Sequence, residues 1–556
     1  MAPLEVVLIL LTAVVLSGVT ARSLPLPIPL PLVQIAFGAF IAAVADLGVQ
    51  LDPQLFFVLF LPPLLFYDAW RLPKAALLRD KGTIAALALG LVVFTVLGLG
   101  FLIHWMIPQV PLAVAFALAA VISPTDPVAV QAIAARTRVP PRFLRILEGE
   151  ALLNDASGLV CMRFALAALL TGTFSLPDAF VTFLWVAAGG LAIGAAVTLT
   201  AGFAKDWVSR RYGEDTGAQI LISLLIPFAA YRLAEMAACS GILAAVAAGI
   251  AMSLLEQRGG ILAVTRVRRS AVWETVQFGA SGIIFILLGE QLPRIASGAA
   301  RVVRETGHDE IAWLAVYVVA INVAVMALRF VWVAALLKLA LRRPGMGAGT
   351  GTGMGTGTGD RTVPGWRPIA AMSVAGARGT VTLAGVLALP FFLADGRPFP
   401  ARDLAIFLAA GVIIASLVAA FLLLPRLLRR MPFPPEPGEE EAEDEARLAA
   451  SHAALAAIRR LQHDAANHAR DADPYADAAE RVAGIYRQRI ESLSRKGPER
   501  DLGRKIRGFE ATLRLAATQA ERQQIYRLVR MGRLSEETGR RLVREVDLVE
   551  TRLKGS

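Results

Sequence analysis

Residues 111–134 read PLAVAFALAAVISPTDPVAVQAIA, an apolar stretch that is interrupted by Pro124, Asp126 and Pro127. About 20 mainly apolar residues span the hydrocarbon core of a membrane, so this stretch is long enough to cross one. Because each proline removes a backbone donor, a helix here must break near the middle of the membrane. Broken backbone at that depth is tolerated where it lines a cavity, and the carbonyls that it frees are good ligands for a monovalent cation. The alternative is a simple proline kink with Asp126 as an N-cap.

The composition of the whole chain favours a membrane protein. The 556 residues are 56% hydrophobic and only 18% charged, and the mean hydropathy is +0.58. Soluble globular proteins average about 45–50% apolar and about 25% charged residues, so an ordinary soluble protein is excluded. Cys161 and Cys239 both lie within apolar stretches. They cannot form a disulfide scaffold, which excludes a secreted disulfide-rich protein.

Hydrophobic stretches separated by short charged loops fill residues 1–430. We count about thirteen candidate membrane spans there, each of the length that crosses a bilayer. Glu5 lies where a signal peptide would carry a basic residue, so the first stretch is interpreted as a retained span. The candidates are residues 5–21, 30–46, 54–69, 83–105, 111–134, 144–170, 176–203, 217–236, 239–256, 271–291, 311–339, 367–394 and 402–427.

The distribution of basic residues predicts the orientation of these spans. With thirteen spans and the N-terminus outside, the basic loops 71–81, 136–145, 205–211, 258–269 and 342–367 all lie in the cytoplasm. They hold about three times as many basic residues as the opposite loops, as the positive-inside rule requires. We therefore expect a multi-pass protein of the cytoplasmic membrane with its C-terminus in the cytoplasm. Most of the net charge of +11 then belongs to loops that face a lipid bilayer, and no nucleic-acid partner is expected.

Composition also predicts the domain organisation. Residues 345–359 are a Gly-rich low-complexity stretch, which predicts a flexible loop. Residues 1–430 are assigned to a transmembrane domain, residues 431–445 to a Pro-rich and acidic linker, and residues 446–556 to a small cytosolic helical domain. We expect this last domain to regulate or to assemble the protein. The sequence identifies no regulatory ligand for it.

The motif EGEALLND at residues 148–155 contains two carboxylates with different predicted roles. Glu150 and Asp155 are five positions apart on a helix, so they point to different faces. Asp155 can face a cavity while Glu150 turns towards a neighbouring helix. A carboxylate in a largely desolvated cleft can hold a proton or a cation but not both well, which is the minimum chemistry of an exchanger. The alternative is a capped or paired structural aspartate.

The motif AGARGT at residues 375–380 predicts a second interrupted helix, because glycines stand on both sides of Arg378. A buried arginine needs a carboxylate partner, since an unpaired buried charge is strongly destabilising. We predict a structural ion pair between Arg378 and Glu150. Two further arginines lie within apolar stretches. Arg163 is expected to pair or to reach the membrane surface, and Arg329 to anchor a helix end or to serve as a structural partner.

Taken together, SPTDP at residues 123–127, EALLND at 150–155 and GARG at 376–379 resemble the cation:proton antiporters of the sodium/proton exchanger branch. LPPLLFYD at 61–68 and SGILA at 240–244 support the resemblance, and the long helical tail is similar to that of bacterial members. The resemblance implies an all-α polytopic membrane protein with thirteen spans. These would form two inverted six-helix repeats plus one helix, in a homodimer with a dimer domain and a moving ion-binding domain.

The resemblance also implies roles for individual residues. Asp155 matches the essential aspartate that binds both the cation and the proton, and Asn154 before it is typical of electroneutral members. Thr125 and Asp126 match the unwound stretch of span five, and Asp68 resembles an acidic position that coordinates the cation in some members. Asp155 and Asp126 are therefore the candidate ligands of a monovalent cation.

Two further points follow from the same resemblance. Glu150 and Arg378 match the characteristic ion pair of the family. Ala151 stands where some archaeal exchangers have a serine one turn before the binding aspartate, so one hydroxyl ligand is missing here. This difference leaves the cation preference open.

The expected function is secondary active transport, with Na⁺ exchanged for H⁺ by alternating access and no net charge moved. K⁺/H⁺ exchange is the alternative within this class. No cofactor is expected besides the transported ions, and the protein is not expected to be an enzyme. An intramembrane aspartyl protease would pair Tyr67-Asp68 with a G-x-G-D motif, which no span contains. A cation channel would not need a titrating aspartate beside a broken helix.

Overall fold

Apolar helices separated by short connections make up the first 428 residues of the computed structural model of the chain. The structure describes residues 3–554, apart from 26–27, 45–52, 73, 75–79, 128–129, 132–138, 140, 172–175, 258–262, 306–311, 343–365, 388, 394–396, 430–438, 469–471, 495–497 and 532. The predicted loop 345–359 lies outside the described residues. Within the described part of the chain, all regular elements are helices, and the strand-like pairing is a single bridge between Phe392 and Pro398.

The helices of the first part are α1 Pro3–Ser23, α2 Leu30–Val44, α3 Pro53–Arg71, α4 Lys81–Met106, α5 Leu112–Ile122, α6 Pro141–Thr171, α7 Leu176–Tyr212, α8 Thr216–Met236, α9 Gly241–Glu256, α10 Ala263–Glu305, α11 Ala312–Arg342, α12 Trp366–Val374, α13 Thr380–Leu387 and α14 Arg402–Leu428. Eight of them are long and apolar enough to cross a membrane, and α2, α5 and α9 are shorter apolar helices. Each predicted membrane stretch contains at least one of these helices. An all-helical polytopic membrane fold is therefore confirmed.

Both predicted helix interruptions are present. Helix α5 ends at Ile122, and residues 123–127 have left the helical path before helical backbone returns at Val130 and Gln131. Helix α12 ends at Val374 and α13 begins at Thr380. The prolines and glycines of the two motifs thus interrupt the helices at the positions expected from their chemistry.

A π-helical turn in α4, at residues Ala86–Gly90, was not predicted from the sequence. Such a turn widens the helix and displaces its hydrogen bonds. Two side chains from neighbouring helices use the carbonyls of this turn as acceptors. Ser157 on α6 donates its hydroxyl to Ala88 O at 2.5 Å, and Trp332 on α11 donates Nε1 to Ala86 O at 3.1 Å. The turn therefore fixes α4 against α6 and α11.

Helices α2 and α10 approach each other backbone to backbone through two glycines. A Cβ atom on Gly38 would overlap the carbonyl oxygen of Ile286, and one on Gly289 would overlap that of Ile35. Small residues allow such close crossings, and close packing is a main source of association between helices in a membrane.

The chain divides into two compact units, Met1–Phe433 and Pro434–Ser556. The second unit contains helices α15 Glu439–His468, α16 Ala472–Ser494, α17 Pro498–Arg530 and α18 Glu536–Lys554. Helix α15 packs against α16, and α17 packs against α18. Residues 439–445, which were assigned to the linker, form the first turns of α15. The helix therefore begins within the segment that the composition assigned to the linker.

We predict that Gly289→Ala lowers the thermal unfolding midpoint of the purified protein by several degrees, because the added methyl overpacks the α2–α10 crossing. Gly279→Ala on the same helix is the matched control, since its Cβ meets no atom within 4 Å. Alanine favours helix over glycine, so the control keeps or raises the midpoint. Equal midpoints for the two variants would contradict this account of the crossing.

Candidate functional site

The two helix interruptions meet each other. The backbone N–H of Asp126 donates to Ala377 O at 2.7 Å, and the N–H of Thr380 donates to the Asp126 carboxylate Oδ2 at 3.3 Å. A Cβ on Gly379 would overlap the same carboxylate, so only glycine fits at this point. Asp126 therefore caps the first turn of α13, a helix more than 250 residues away in the chain.

A cleft of about 250 Å³ lies beside this junction. Three of the predicted site carboxylates, Asp68, Asp126 and Asp155, line it together with Thr125. The other polar groups of the lining are Arg71, Gln131, Glu148, Gln277, Ser281, Thr380 and Thr382. Oxygen atoms of carboxylates and hydroxyls are the ligands that hard cations prefer.

Asp155 differs from the other buried charges of the unit. Its residue is only 9% exposed, and among the described residues its carboxylate takes part in no hydrogen bond or ion pair. A buried anion without a partner is strongly disfavoured. An ionised Asp155 carboxylate would therefore carry a charge that no neighbouring group in the described part of the chain compensates.

The carboxylates of the cleft are spread along it. Among the residues that the structure describes, no three His, Cys, Asp or Glu side chains form a group that could hold a metal ion.

Asn154 lies behind the cleft and does not line it. Its side-chain amide donates to the Thr125 hydroxyl at 2.8 Å, and that hydroxyl lies 3.3 Å from Glu150 Oε1, to which it donates. Because Thr125 lines the cleft, Asn154 acts on the site by orienting this hydroxyl. The sequence placed Asn154 among the ion-binding residues; in the structure its side-chain amide contacts Thr125, and Asn154 is not part of the cleft lining.

The prediction of a Glu150–Arg378 ion pair is wrong. Glu150 is fully buried and pairs with Arg329, whose Nη2 donates to Oε2 at 2.6 Å while Nη1 contacts Oε1. Arg329 Nε also donates to Met372 O at 2.9 Å near the end of α12. A bidentate arginine–carboxylate pair is the strongest form of this interaction. The Arg329 guanidinium group therefore links α6, α11 and α12.

Arg378 instead binds backbone oxygens that the interruptions leave free. Its Nε donates to Ile122 O at 2.9 Å, its Nη1 contacts Gly376 O, and its own backbone N–H donates to Ser416 Oγ at 3.0 Å. Carbonyls at a helix end inside a membrane need donors, and a cation is favoured at the negative end of a helix dipole. This is the physical reason why Arg378 is at the junction and leaves Glu150 to Arg329.

Asp68 is held at the other wall of the cleft. Gln277 on α10 donates Nε2 to Asp68 Oδ1 at 2.9 Å and accepts from Arg71 Nη1 at 3.2 Å. Towards the start of α6, Gln131 Nε2 donates to Glu148 Oε1 at 2.9 Å. The cleft thus extends from Asp155 to the end of the unit where α3 ends and α6 begins.

Sequence reasoning missed the role of Gln277 and did not choose Arg329 as the partner of Glu150. Each has a visible signal, a polar side chain within an apolar stretch. What the sequence does not show is which of two buried arginines a carboxylate will meet. Arg163, which was expected either to pair or to reach the membrane surface, forms an ion pair in which its Nη2 lies 2.9 Å from Glu235 Oε1.

Comparisons with known proteins agree on one family. Residues 7–430 match the family model described as "Sodium/hydrogen exchanger, transmembrane". The chain is 39% identical over 559 residues to the uncharacterized Na(+)/H(+) exchanger YjcE of Escherichia coli K12, and the match covers 98% of each protein. It is 40% identical over 426 residues to the sodium, potassium, lithium and rubidium/H(+) antiporter of Bacillus subtilis. That match covers 76% of this chain but only 61% of the Bacillus protein.

The fold is similar to a solved antiporter structure. The sodium proton antiporter MjNhaP1 from Methanocaldococcus jannaschii at pH 8 superposes with a TM-score of 0.56, which covers 77% of this chain and 99% of that one. Only 16% of the aligned residues are identical. This similarity shows the fold and says nothing of individual side chains.

We predict that a double-mutant cycle measures a larger coupling for Glu150→Gln with Arg329→Gln than for Glu150→Gln with Arg378→Gln. Removal of one partner leaves a buried charge unpaired and costs about 3–5 kcal/mol, most of which the double substitution at positions 150 and 329 recovers. Thermal unfolding midpoints of the purified variants measure the coupling. A larger coupling between positions 150 and 378 would contradict the pairing described above.

Proposed function

The chain belongs to the sodium/hydrogen exchanger family, and we propose that it exchanges Na⁺ for H⁺ one for one across the cytoplasmic membrane by alternating access. Cation/proton exchange makes it a secondary active transporter and not an enzyme. The observation that carries the assignment of the site is Asp155, a nearly buried carboxylate on the wall of the cleft that has no partner among the described residues.

Competition at Asp155 is the chemical core of the proposal. The carboxylate binds a proton or a cation, and either one neutralises it. An empty, charged Asp155 is costly in a desolvated site, so the protein changes its access more readily in the two loaded forms. Cation and proton therefore move in opposite directions in alternate half-cycles.

The cleft supplies further ligands for the cation. We propose that Asp126 and the Thr125 hydroxyl complete the site beside Asp155, and that Asp68 attracts the cation from the opposite wall. Ala151 also lines the cleft, where a serine would add one more oxygen. With that oxygen absent, the site depends more on its carboxylates.

The hydrogen bonds suggest which parts move together. One network joins α4, α5, α6, α11, α12, α13 and α14 through the Asp126 junction, the Glu150–Arg329 pair, Arg378 and the π-helical turn. Asp68 belongs to a different bond, which joins α3 to α10. We propose that the first group is the ion-binding domain and that it moves against the helices around α3 and α10, with the cleft between them.

The identity of the cation is part of the proposal. Na⁺ is the first choice, and K⁺ is the alternative because the Bacillus subtilis relative is named for sodium, potassium, lithium and rubidium. Oxygen ligands alone do not separate these ions, because selectivity depends on cavity size and on ligand number. Proton flux in proteoliposomes, driven by a gradient of each cation in turn, distinguishes them.

Orientation, assembly and the role of the tail follow from the charge pattern and the family. We propose that the N-terminus is outside, that the basic loops and residues 446–556 are in the cytoplasm, and that the membrane unit forms a homodimer. The cleft then extends towards the cytoplasmic face, where Arg71 and Glu148 lie. The tail would regulate or assemble the transporter.

We predict that Asp155→Asn abolishes cation-driven proton flux in proteoliposomes, because an amide neither takes up a proton nor neutralises a cation. Asp206→Asn on α7 is the matched control, since it makes the same substitution outside the lining of the cleft. It should keep most of the wild-type rate. Wild-type flux in the Asp155 variant would refute the site.

We also predict that the cation gradient at which proton flux stops is independent of membrane potential. If one net charge moved per cycle, 100 mV would contribute about 2.3 kcal/mol and shift this balance point about 50-fold. The balance point is measured in proteoliposomes with the potential set by a permeant anion. A shift of that size would contradict one-for-one exchange while leaving the Asp155 assignment intact.

A further inference from the structure

Four large apolar side chains form an exposed stripe on α17, in the C-terminal unit. Leu502 is 57% exposed, Ile506 43%, Phe509 68% and Leu513 70%. Their spacing of four, three and four residues places them on one face of the helix. A charged helix in water normally hides such a row. The stripe is thus an apolar surface without a partner in the described part of the chain.

Helix α18 does not cover this stripe, because it packs on another face of α17. Thr518 is buried in that contact, and Arg522 pairs with Asp547 at 2.8 Å and contacts Glu550. At 3.6 residues per turn, positions 518 and 522 lie about half a turn around the helix from the stripe. Helix α17 therefore has two interaction faces, of which α18 occupies one.

The spacing of the stripe is that of a two-stranded coiled coil. Ile506 and Leu513 take heptad position a, and Leu502 and Phe509 take position d. Leu502 at d and Ile506 at a follow the preference of parallel two-stranded coiled coils for leucine at d and a β-branched residue at a. The apolar pattern extends by one further heptad through Ala516 and Ala520.

The charges beside the stripe identify its partner. By register, Lys505 takes position g and Glu510 takes position e of the next heptad. In a parallel pair of identical helices, position g of one chain lies opposite position e of the other, five residues further on. Lys505 of each chain then faces Glu510 of its partner. An antiparallel pair would bring like positions, and so like charges, together.

We infer that α17 pairs in parallel and in register with α17 of a second copy of this chain, forming a short coiled coil between the two C-terminal units. The g and e positions beside the stripe carry one basic and one acidic residue, Lys505 and Glu510, which suits a partner with the same two residues. About three heptads are marginal for free helices. The membrane homodimer proposed above supplies the high local concentration that the pairing needs.

Disulfide cross-linking of the full-length protein in proteoliposomes tests this inference. The two natural cysteines, Cys161 and Cys239, are first replaced by alanine, and a single cysteine is introduced by Phe509→Cys or by Gly508→Cys. Position 508 is the matched control, because it is adjacent and exposed, and an added Cβ there meets no atom within 4 Å. Mild oxidation should yield at least about fivefold more cross-linked dimer for position 509, since d positions of a parallel pair face each other.

A charge exchange then tests the register. In the Phe509→Cys protein, Lys505→Glu or Glu510→Lys alone should lower the cross-linked fraction about fivefold, and the two together should restore it. Equal cross-linking at positions 508 and 509, or no rescue by the double exchange, would overturn the inference. Burial of position 509 against lipid or against the chain's own helices would give the first of these results. Neither measurement involves transport, so its outcome is independent of the proposed ion exchange.

Discussion

Backbone groups at the centre of a membrane must find hydrogen-bond partners within the protein, and the rest of this structure depends on how that is achieved. The helix interruptions at residues 123–127 and 375–379 expose several such groups at once. Each interruption supplies partners to the other, because Asp126 N–H binds Ala377 O and the Asp126 carboxylate binds Thr380 N–H. Arg378 completes the junction by donating to Ile122 O. Each interruption therefore satisfies part of the backbone hydrogen bonding of the other.

The junction also explains how the charges in and around the cleft are distributed. The Arg378 side chain donates its hydrogen bonds to backbone oxygens. The charge of Glu150 is therefore neutralised by Arg329. Asp126 is engaged by the start of α13, and Asp68 accepts from Gln277. Asp155 has no such partner among the described residues, although it lies on the same cleft. The proposed exchange places the cation or the proton at this position, where no hydrogen bond or ion pair forms among the described residues.

The sequence was sufficient for the fold class, for both interruptions and for four polar residues that line the cleft, Asp68, Thr125, Asp126 and Asp155. These features depend on local chemistry: apolar length, proline and glycine at fixed places, and carboxylates within apolar stretches. Partner choice was not predictable in the same way. The sequence offers two buried arginines, Arg329 and Arg378, as partners for Glu150. Which of them pairs with Glu150 depends on which one donates to the free carbonyls of Ile122 and Gly376. This competition between the two arginines depends on the tertiary packing of both motifs, so neither motif predicts it alone.

The position of Asn154 links the chemistry of the site to the packing around it. Its amide donates to Thr125, and Thr125 donates to Glu150, whose charge is held by Arg329. A hydroxyl that lines the cleft is thus oriented by a chain of bonds that ends in the bidentate pair between α6 and α11. An aspartate at position 154 would bring a second negative charge towards Glu150 and would have no proton to donate to Thr125. Asparagine at this position therefore serves the orientation of Thr125 and limits the charge of the site at the same time. This double role is consistent with the one-for-one exchange proposed above.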